Sequence, residues 1–283
     1  MRTPRSAPLA AVLLFATAWA APASAGERAP LPPVARSPTA RQVRRSDPRI
    51  EKYRQKYLAR RLELPSLRKL AEEVRLQRAA RKLGARIGAS ADRRPILVIL
   101  EGPDGAGKSG TIRRLRTVFD RLGAVREVHF GAPPAGEKRP WLARYRDRLP
   151  RAGEVAIWDR SYYGRVVYDP YYKMVDESQV AERYGDIADL EGELARRFRV
   201  VKIYLDARGD RLAQTIGKRE AVAPEKLEES DYQTFRDRKI IRSLFEKAID
   251  QTGGAVRWHV VPMDDRGEGR FELLDVLRRE LLD

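Results

Sequence analysis

The sequence predicts an α/β protein: a three-layer sandwich with a central parallel five-stranded sheet, a helical N-terminal extension and a helical lid. Three observations carry this expectation. Five short apolar runs, at 96–101, 125–130, 155–159, 200–205 and 257–261, are separated by stretches with helical character. The first run, "ILVILE", begins as unbroken aliphatic residues, as a strand buried on both faces of a parallel sheet requires. It ends in the glycine-rich segment "GPDGAGKSG", after which the pattern becomes that of a helix.

The elements follow in order along the 283 residues. Residues 1–25 read as a secretory signal: Arg2 and Arg5 precede an apolar run from about Leu9 to Ala21, and Ala23-Ser24-Ala25 supplies the small-x-small pattern of a cleavage site. The run is too short to cross a bilayer permanently. Export to the periplasm or medium is therefore expected, and a cytoplasmic location only if the start is misassigned. Residues 26–48, rich in Pro, Arg, Ala and Ser without apolar period, read as a disordered linker. A helical extension over 49–94 comes next, with helices at 49–62 and 66–88. In the second, Pro65-Ser66 offers a start signal, and Leu67, Leu70 and Val74 recur at helical spacing. The stripe breaks at Gln77 and Arg78, and Leu76, Ala80 and Leu83 carry the apolar face onward with a shift. Residues 95–283 form the main domain. Its helices are expected at about 107–122, 177–197, 209–219, 229–252 and 269–282.

The segment Gly102-Pro103-Asp104-Gly105-Ala106-Gly107-Lys108-Ser109, followed by Gly110, fits the G-x-x-x-x-G-K-[ST] phosphate-binding loop, or P-loop. Glycines permit unusual backbone angles and let successive N–H groups point at one anion. The helix behind the loop turns its N-terminal dipole toward the phosphates. Lys108 supplies a point charge for the terminal phosphates, and Ser109 can place its hydroxyl on Mg²⁺. Asp104 lies inside the loop, where a carboxylate would repel phosphate unless it serves a metal ion, a base or a substrate group.

The second half of the site is expected at "EVAIWDRSYYGRVVYD", residues 154–169. Asp159 ends an apolar strand, and in open α/β sheets that end lines the ligand crevice. It is placed to hold Mg²⁺, directly or through water. Arg160 and Arg165 follow closely and can neutralise a phosphoryl group; a helix-capping Asp with surface arginines is the plainer alternative. A third region, 218–242 within a lid at about 210–245, offers Lys218, Arg219, Arg236, Arg238, Lys239 and Arg242 as cations that could close over an anion. An ordinary solvated helix would show the same charges.

These strings resemble the polyphosphate kinase 2 family of P-loop phosphotransferases, whose loop reads like E-G-x-D-A-A-G-K-G-G. Here it is Glu101-Gly102-Pro103-Asp104-Gly105-Ala106-Gly107-Lys108-Ser109-Gly110. Trp141, Arg144-Tyr145, Leu149-Pro150, Gly153-Glu154 and Asp159-Arg160-Ser161-Tyr162-Tyr163 match that family's further pattern in order, over roughly residues 50–283. The resemblance implies a P-loop kinase-like fold and Mg²⁺-dependent phosphoryl transfer between inorganic polyphosphate and a nucleotide, either AMP or ADP or another mono- or diphosphate. It implies Asp104, Lys108, Asp159 and Arg160 as the catalytic set, with Asp104 and Asp159 serving metal and phosphates, and a homo-oligomer. Gly105 and Ser109 also give the D-G-x-G-K-S string of thymidylate kinase, so an ATP-using nucleoside monophosphate kinase is the alternative.

Composition sets the remaining bounds. Without cysteine there is no disulfide, thiolate nucleophile or thiolate zinc site, and two histidines exclude a histidine-rich metal site. The net charge of +17 is concentrated early: residues 1–95 carry 22 Lys/Arg against 7 Asp/Glu, the rest 35 against 33. Such an arm attracts polyanions, or is simply a solvated arginine-rich face. A non-catalytic polyanion binder is a third reading, and a nucleic-acid partner is not expected.

Overall fold

The computed structural model describes residues 47–59, 66–134 and 139–283. The expected signal at 1–25, the linker up to residue 46 and the end of the first extension helix at 60–62 lie outside the described residues. Helix α1 spans Pro48–Ala59 and α2 spans Leu67–Gly88. There follow β1 (Ile96–Glu101), α3 (Lys108–Phe119), β2 (Val125–His129), the short α4 (Ala143–Arg146), β3 (Val155–Asp159), α5 (Gly164–Tyr171), α6 (Glu177–Arg197) and β4 (Arg199–Asp206). Then come α7 (Gly209–Val222), α8 (Glu229–Arg236), α9 (Arg238–Gln251), β5 (Trp258–Pro262) and α10 (Arg266–Leu282).

The five strands form one sheet in the order β2-β3-β1-β4-β5, parallel throughout. Alternation along β1 divides the core. Ile96, Val98 and Leu100 face one layer, with α2, α3 and α10, while Leu97 and Ile99 face the other, with α5, α6 and α9. The apolar run of β1 is wholly buried because it is the middle strand, covered on both sides. Edge strands β2 and β5 are partly exposed and correspondingly mixed in sequence. In the β1–β3 register Leu100 pairs with Asp159, so Glu101 and Asp159 emerge at the same end of the sheet.

The structure departs from the sequence expectation in several places. The stripe Leu67, Leu70 and Val74 is exposed, at 85%, 45% and 46%. On a helix of about 100° per residue these positions lie roughly 120–180° around from Leu76. The buried face is instead Leu76, Ala80, Leu83, Gly84 and Ile87. The helix expected over 229–252 is two, α8 and α9, divided at Asp237, whose carboxylate accepts from the Tyr171 hydroxyl at 2.6 Å. Strand β2 stops at His129, and β5 runs one residue later than expected. Helices α4 and α5, of four and eight residues, are too short to have been read.

Helix α1 lies against α7, touching where Gly217 presents no side chain: a β carbon there would stand 2.6 Å from the Ile50 carbonyl oxygen. Among the described residues no helix is long and apolar enough to cross a membrane.

Candidate active site

The loop between β1 and α3 takes backbone angles that explain its composition. Gly102, Gly105 and Gly107 have φ of 143°, 93° and 107°, a region L side chains avoid. Gly102 also packs on β4, where a β carbon would come within 2.7 Å of the Leu205 carbonyl oxygen. Ala106 is fully buried inside the loop. Helix α3 starts at Lys108 with Gly107 as its N-cap and no capping side chain, so its first-turn amides remain for an incoming anion. Ser109 is exposed in that first turn, with Gly110 beside it. Lys108 is buried and folds back on the loop. Its ammonium donates to the carbonyl oxygens of Gly102 at 2.8 Å and Pro103 at 3.2 Å, and lies 3.8 Å from Asp104 Oδ1.

The end of β3 delivers the opposing wall. Arg160 has φ 66°, in the left-handed region, and its amide donates to the Leu100 carbonyl at 2.9 Å. That conformation aims its guanidinium at the loop, where Nη2 donates to Asp104 Oδ1 at 2.5 Å. The Tyr168 ring backs the guanidinium at 5.6 Å. Burial pushes the Asp104 carboxyl up, but Arg160 and Lys108 together overcome this and hold it far below the carboxylate range. The Asp104 charge in turn raises Arg160. Asp159 Oδ2 stands 3.3 Å from His129 Nδ1. Burial would raise Asp159, yet His129, Lys108 and Arg160 leave it lowered, hence ionised at neutral pH. The loop Asp and Lys and the strand-end Asp and Arg therefore do meet across one crevice.

Glu101, singled out in the sequence only as the first letter of the loop, is fully buried beneath them. Its Oε1 accepts from Ser161 Oγ at 2.8 Å. Burial pushes its carboxyl up to about 7, against the opposing pull of Ser161, Lys108 and Arg160. Glu101 Oε2 and Asp159 Oδ1 are buried oxygens with no hydrogen-bond partner among the described residues.

The remaining expected cations divide into groups. Arg165 is turned to Asp169 at 3.0 Å, a carboxylate that also receives Arg183 at 2.6 Å. Arg219 pairs with Asp231 at 3.1 Å and lies near enough to help lower Asp104. Arg236 is held by Asp237, and Arg242 forks onto Asp206 at 2.9 and 3.0 Å. Arg238 donates to the Phe235 carbonyl, and Lys239 is exposed.

Lys218 belongs to a different set, which sequence reasoning largely missed. It stands 5.6 Å from the Tyr57 ring, and burial with Arg266, Arg211 and Lys69 nearby lowers it. Arg266 is pushed down to about 10 by burial and by Arg211, Arg270 and Arg114. Arg266 sits beside the loop at Gly107 and donates to Thr215 Oγ1 at 3.2 Å, while that hydroxyl donates to Gly105 O at 3.1 Å. Glu73 pairs with Arg114 and Arg270, but among the described residues no carboxylate pairs with Arg211 or Arg266. The buried Nε atoms of Arg114, Arg211 and Arg266 have no hydrogen-bond partner among the described residues. These cations come from α3, α7 and α10, so no local string announces them.

A family profile described as Polyphosphate kinase 2 (PPK2) matches residues 64–282. The chain belongs to the polyphosphate kinase 2 family. It is 28% identical over 196 residues to the ADP-polyphosphate phosphotransferase 2 of Rhizobium meliloti, covering 66% of this chain and 62% of that one. It is also 28% identical over 192 residues to the polyphosphate:AMP phosphotransferase of Pseudomonas syringae, covering 66% of this chain and 38% of that one. The chain thus spans less than two thirds of the length of both curated relatives. The crystal structure of polyphosphate kinase 2 from Arthrobacter aurescens superposes with a TM-score of 0.64 at 26% identity, covering 75% of this chain and 76% of that chain. The five-stranded parallel sheet and its P-loop are the fold of this family.

The oxygen donors present fit a hard divalent cation. Among the described residues no three His, Cys, Asp or Glu side chains converge as a metal cage. Mg²⁺ in phosphate chemistry is instead held by one or two protein oxygens together with substrate phosphates. The unpartnered, ionised Asp159 Oδ1 and the exposed Ser109 hydroxyl supply such oxygens. Asp104, expected as a further ligand, presents its Oδ1 to Arg160 here.

Proposed function

We propose that the protein transfers a phosphoryl group between inorganic polyphosphate and a nucleoside mono- or diphosphate, by Mg²⁺-dependent in-line displacement. The observation that carries this reading is the meeting of Asp104, Lys108, Asp159 and Arg160 at one end of the sheet, beside a bank of cations in which Arg211, Lys218 and Arg266 have no carboxylate partner among the described residues. A P-loop alone would suit any nucleoside triphosphate. The cations of Arg114, Arg211, Lys218, Arg266 and Arg270 extend the positive wall past Gly107, as a linear polyanion needs and a single triphosphate does not. The relatives' names point to the same two substrates.

In the reaction the terminal phosphoanhydride bond of polyphosphate breaks, its bridging oxygen stays with the shortened chain, and a phosphate oxygen of the nucleotide forms the new P–O bond. That nucleophile is already anionic near neutral pH, so no protein base is required. The work of the chain is positioning and charge stabilisation. Loop amides and Lys108 grip the donor phosphates, Lys108 leaving the carbonyls it now holds. Arg160, aimed by Asp104, faces the transferring group. Mg²⁺, held by Asp159 and Ser109 with phosphate oxygens, would neutralise phosphate charge. Arg165 and Arg219 stand further out, each with a carboxylate partner, as phosphate contacts of the second rank.

Phosphorus NMR of the purified protein with Mg²⁺, polyphosphate and a panel of nucleoside mono- and diphosphates tests the reading. Nucleotide phosphorylation with loss of polyphosphate supports it. Phosphorylation of dTMP by ATP with polyphosphate untouched would sink it in favour of a thymidylate-type kinase.

A further inference from the structure

Beneath the crevice lies a second polar centre that the chemistry above does not use. Lys202 on β4 and Glu191 on α6 are buried, at 0% and 1% exposure, with Nζ and Oε2 2.6 Å apart. Lys202 also donates to the Tyr163 hydroxyl and to the Thr252 carbonyl, both at 2.8 Å, which uses all three of its protons. Glu191 Oε1 accepts from the hydroxyls of Tyr162 at 2.8 Å and Tyr163 at 2.6 Å. Thr252 Oγ1 receives Trp258 Nε1 at 3.1 Å, and the Trp258 ring stands 4.9 Å from the Lys202 ammonium. No side-chain polar atom of Lys202, Glu191, Tyr162, Tyr163 or Thr252 is left without a partner.

Stability alone is a poor reason for such a centre. A buried ion pair must overcome the desolvation of both charges, and apolar residues of similar size commonly do as well or better. What a fully satisfied network supplies is a single geometry. Here its outlets are two consecutive hydroxyls, and the residues directly before them are Ser161, bonded to Glu101, and Arg160, held in a left-handed conformation. Strain of that kind persists only where neighbours over-determine it.

We propose that the Lys202–Glu191 pair is a positioning device for phosphoryl transfer, fixing through Tyr162 and Tyr163 the place of Arg160 and Asp159 in the crevice. This rests on the phosphotransferase reading. All four residues are buried, at 0–1% exposure, so each acts through the Asp159–Tyr163 turn. Removing the hydroxyls leaves the tyrosine rings packed in the aromatic layer, where Tyr162 meets Tyr145 and Trp158 edge-on and Tyr163 meets Trp258. The turn keeps its core but loses its register.

The test is the Tyr162→Phe/Tyr163→Phe double variant of the full chain, in the wild-type and Arg160→Lys backgrounds. Thermal unfolding is measured with kcat and KM for polyphosphate and nucleotide. The expected result is a folded protein whose kcat is roughly 10–100-fold lower, as a misplacement of about 1 Å produces. KM for polyphosphate stays within about twofold, because the loop and its cations grip the chain. In the Arg160→Lys background the same hydroxyl deletions are expected to cost about twofold or less, since the geometry they guard is already lost. An unchanged kcat, or equal losses in both backgrounds, overturns the proposal. Should the double variant fail to fold, Glu191→Gln, which keeps an acceptor for the tyrosines, is compared with Glu191→Met, which does not. Equal kcat in these two overturns the proposal as well. Wild type assayed alongside separates the two readings. An inactive wild type sinks the phosphotransferase assignment, whereas an active wild type with unaffected variants sinks only the positioning role.

Discussion

Arg160 Nη2 and Asp104 Oδ1 meet at 2.5 Å, joining the turn after β3 to the loop after β1. Each side chain accounts for an oddity in the other. Arg160 adopts a left-handed backbone, and Asp104 places a carboxylate where phosphates are to sit. The pair makes both intelligible, because the carboxylate aims the guanidinium at the crevice. Replacing Arg160 by lysine keeps the charge but loses the planar fork, and kcat is expected to fall roughly 10²–10³-fold. Thermal unfolding should move little, since the pair lies at the rim of the core. Steady-state kinetics with calorimetry checks both.

Glu101 gives a pH dependence of stability. Its folded carboxyl is raised to about 7 from an ordinary 4.5. The folded state therefore holds a proton that the unfolded chain releases, so the stabilisation is complete below about 4.5 and is lost as pH rises through about 7. The unfolding temperature of the substrate-free protein should decline over that window. Glu101→Gln should flatten the decline, which unfolding scans at several pH values will show.

Arg266 is crowded by like charges in the free protein. Arg266→Gln should leave the unfolding temperature unchanged or raised, because it relieves repulsion. It should also raise KM for long-chain polyphosphate about tenfold through the lost charge-assisted contact. Triphosphate, which does not reach past the loop, should be affected far less. Kinetics over a series of chain lengths reads out the difference.

Chelation should abolish activity, and Mg²⁺ should restore it. Asp159→Asn is expected to raise the Mg²⁺ concentration needed for half-maximal rate by tenfold or more. The fold should be retained, because Asp159 Oδ1 has no hydrogen-bond partner among the described residues and Oδ2 meets only the half-exposed His129 at 3.3 Å. A magnesium titration of both proteins checks this.

The sequence was legible where a local rule dominates. The phosphate loop announced itself through glycines that need positive φ and through its place between a strand and a helix. Asp159 and Arg160 were legible because a polar residue ending a parallel strand emerges beside the loop. Tertiary convergence was not legible. Arg114, Arg211, Arg266 and Arg270 sit on three helices far apart in the chain, and the ion pair of Lys202 with Glu191 is written in two unrelated segments. The exposed stripe of α2 misleads for a related reason. Helical spacing marks a shared face, and only packing decides which face turns inward.

The absent side chain at Gly217 has a mechanical consequence. With no β carbon between them, the backbones of α1 and α7 come into direct contact at this point. Helix α7 also carries Thr215, Lys218 and Arg219 past the loop. The cations that α7 carries beside the loop are therefore braced from behind by the first described helix, and a side chain introduced at Gly217 would push that support away.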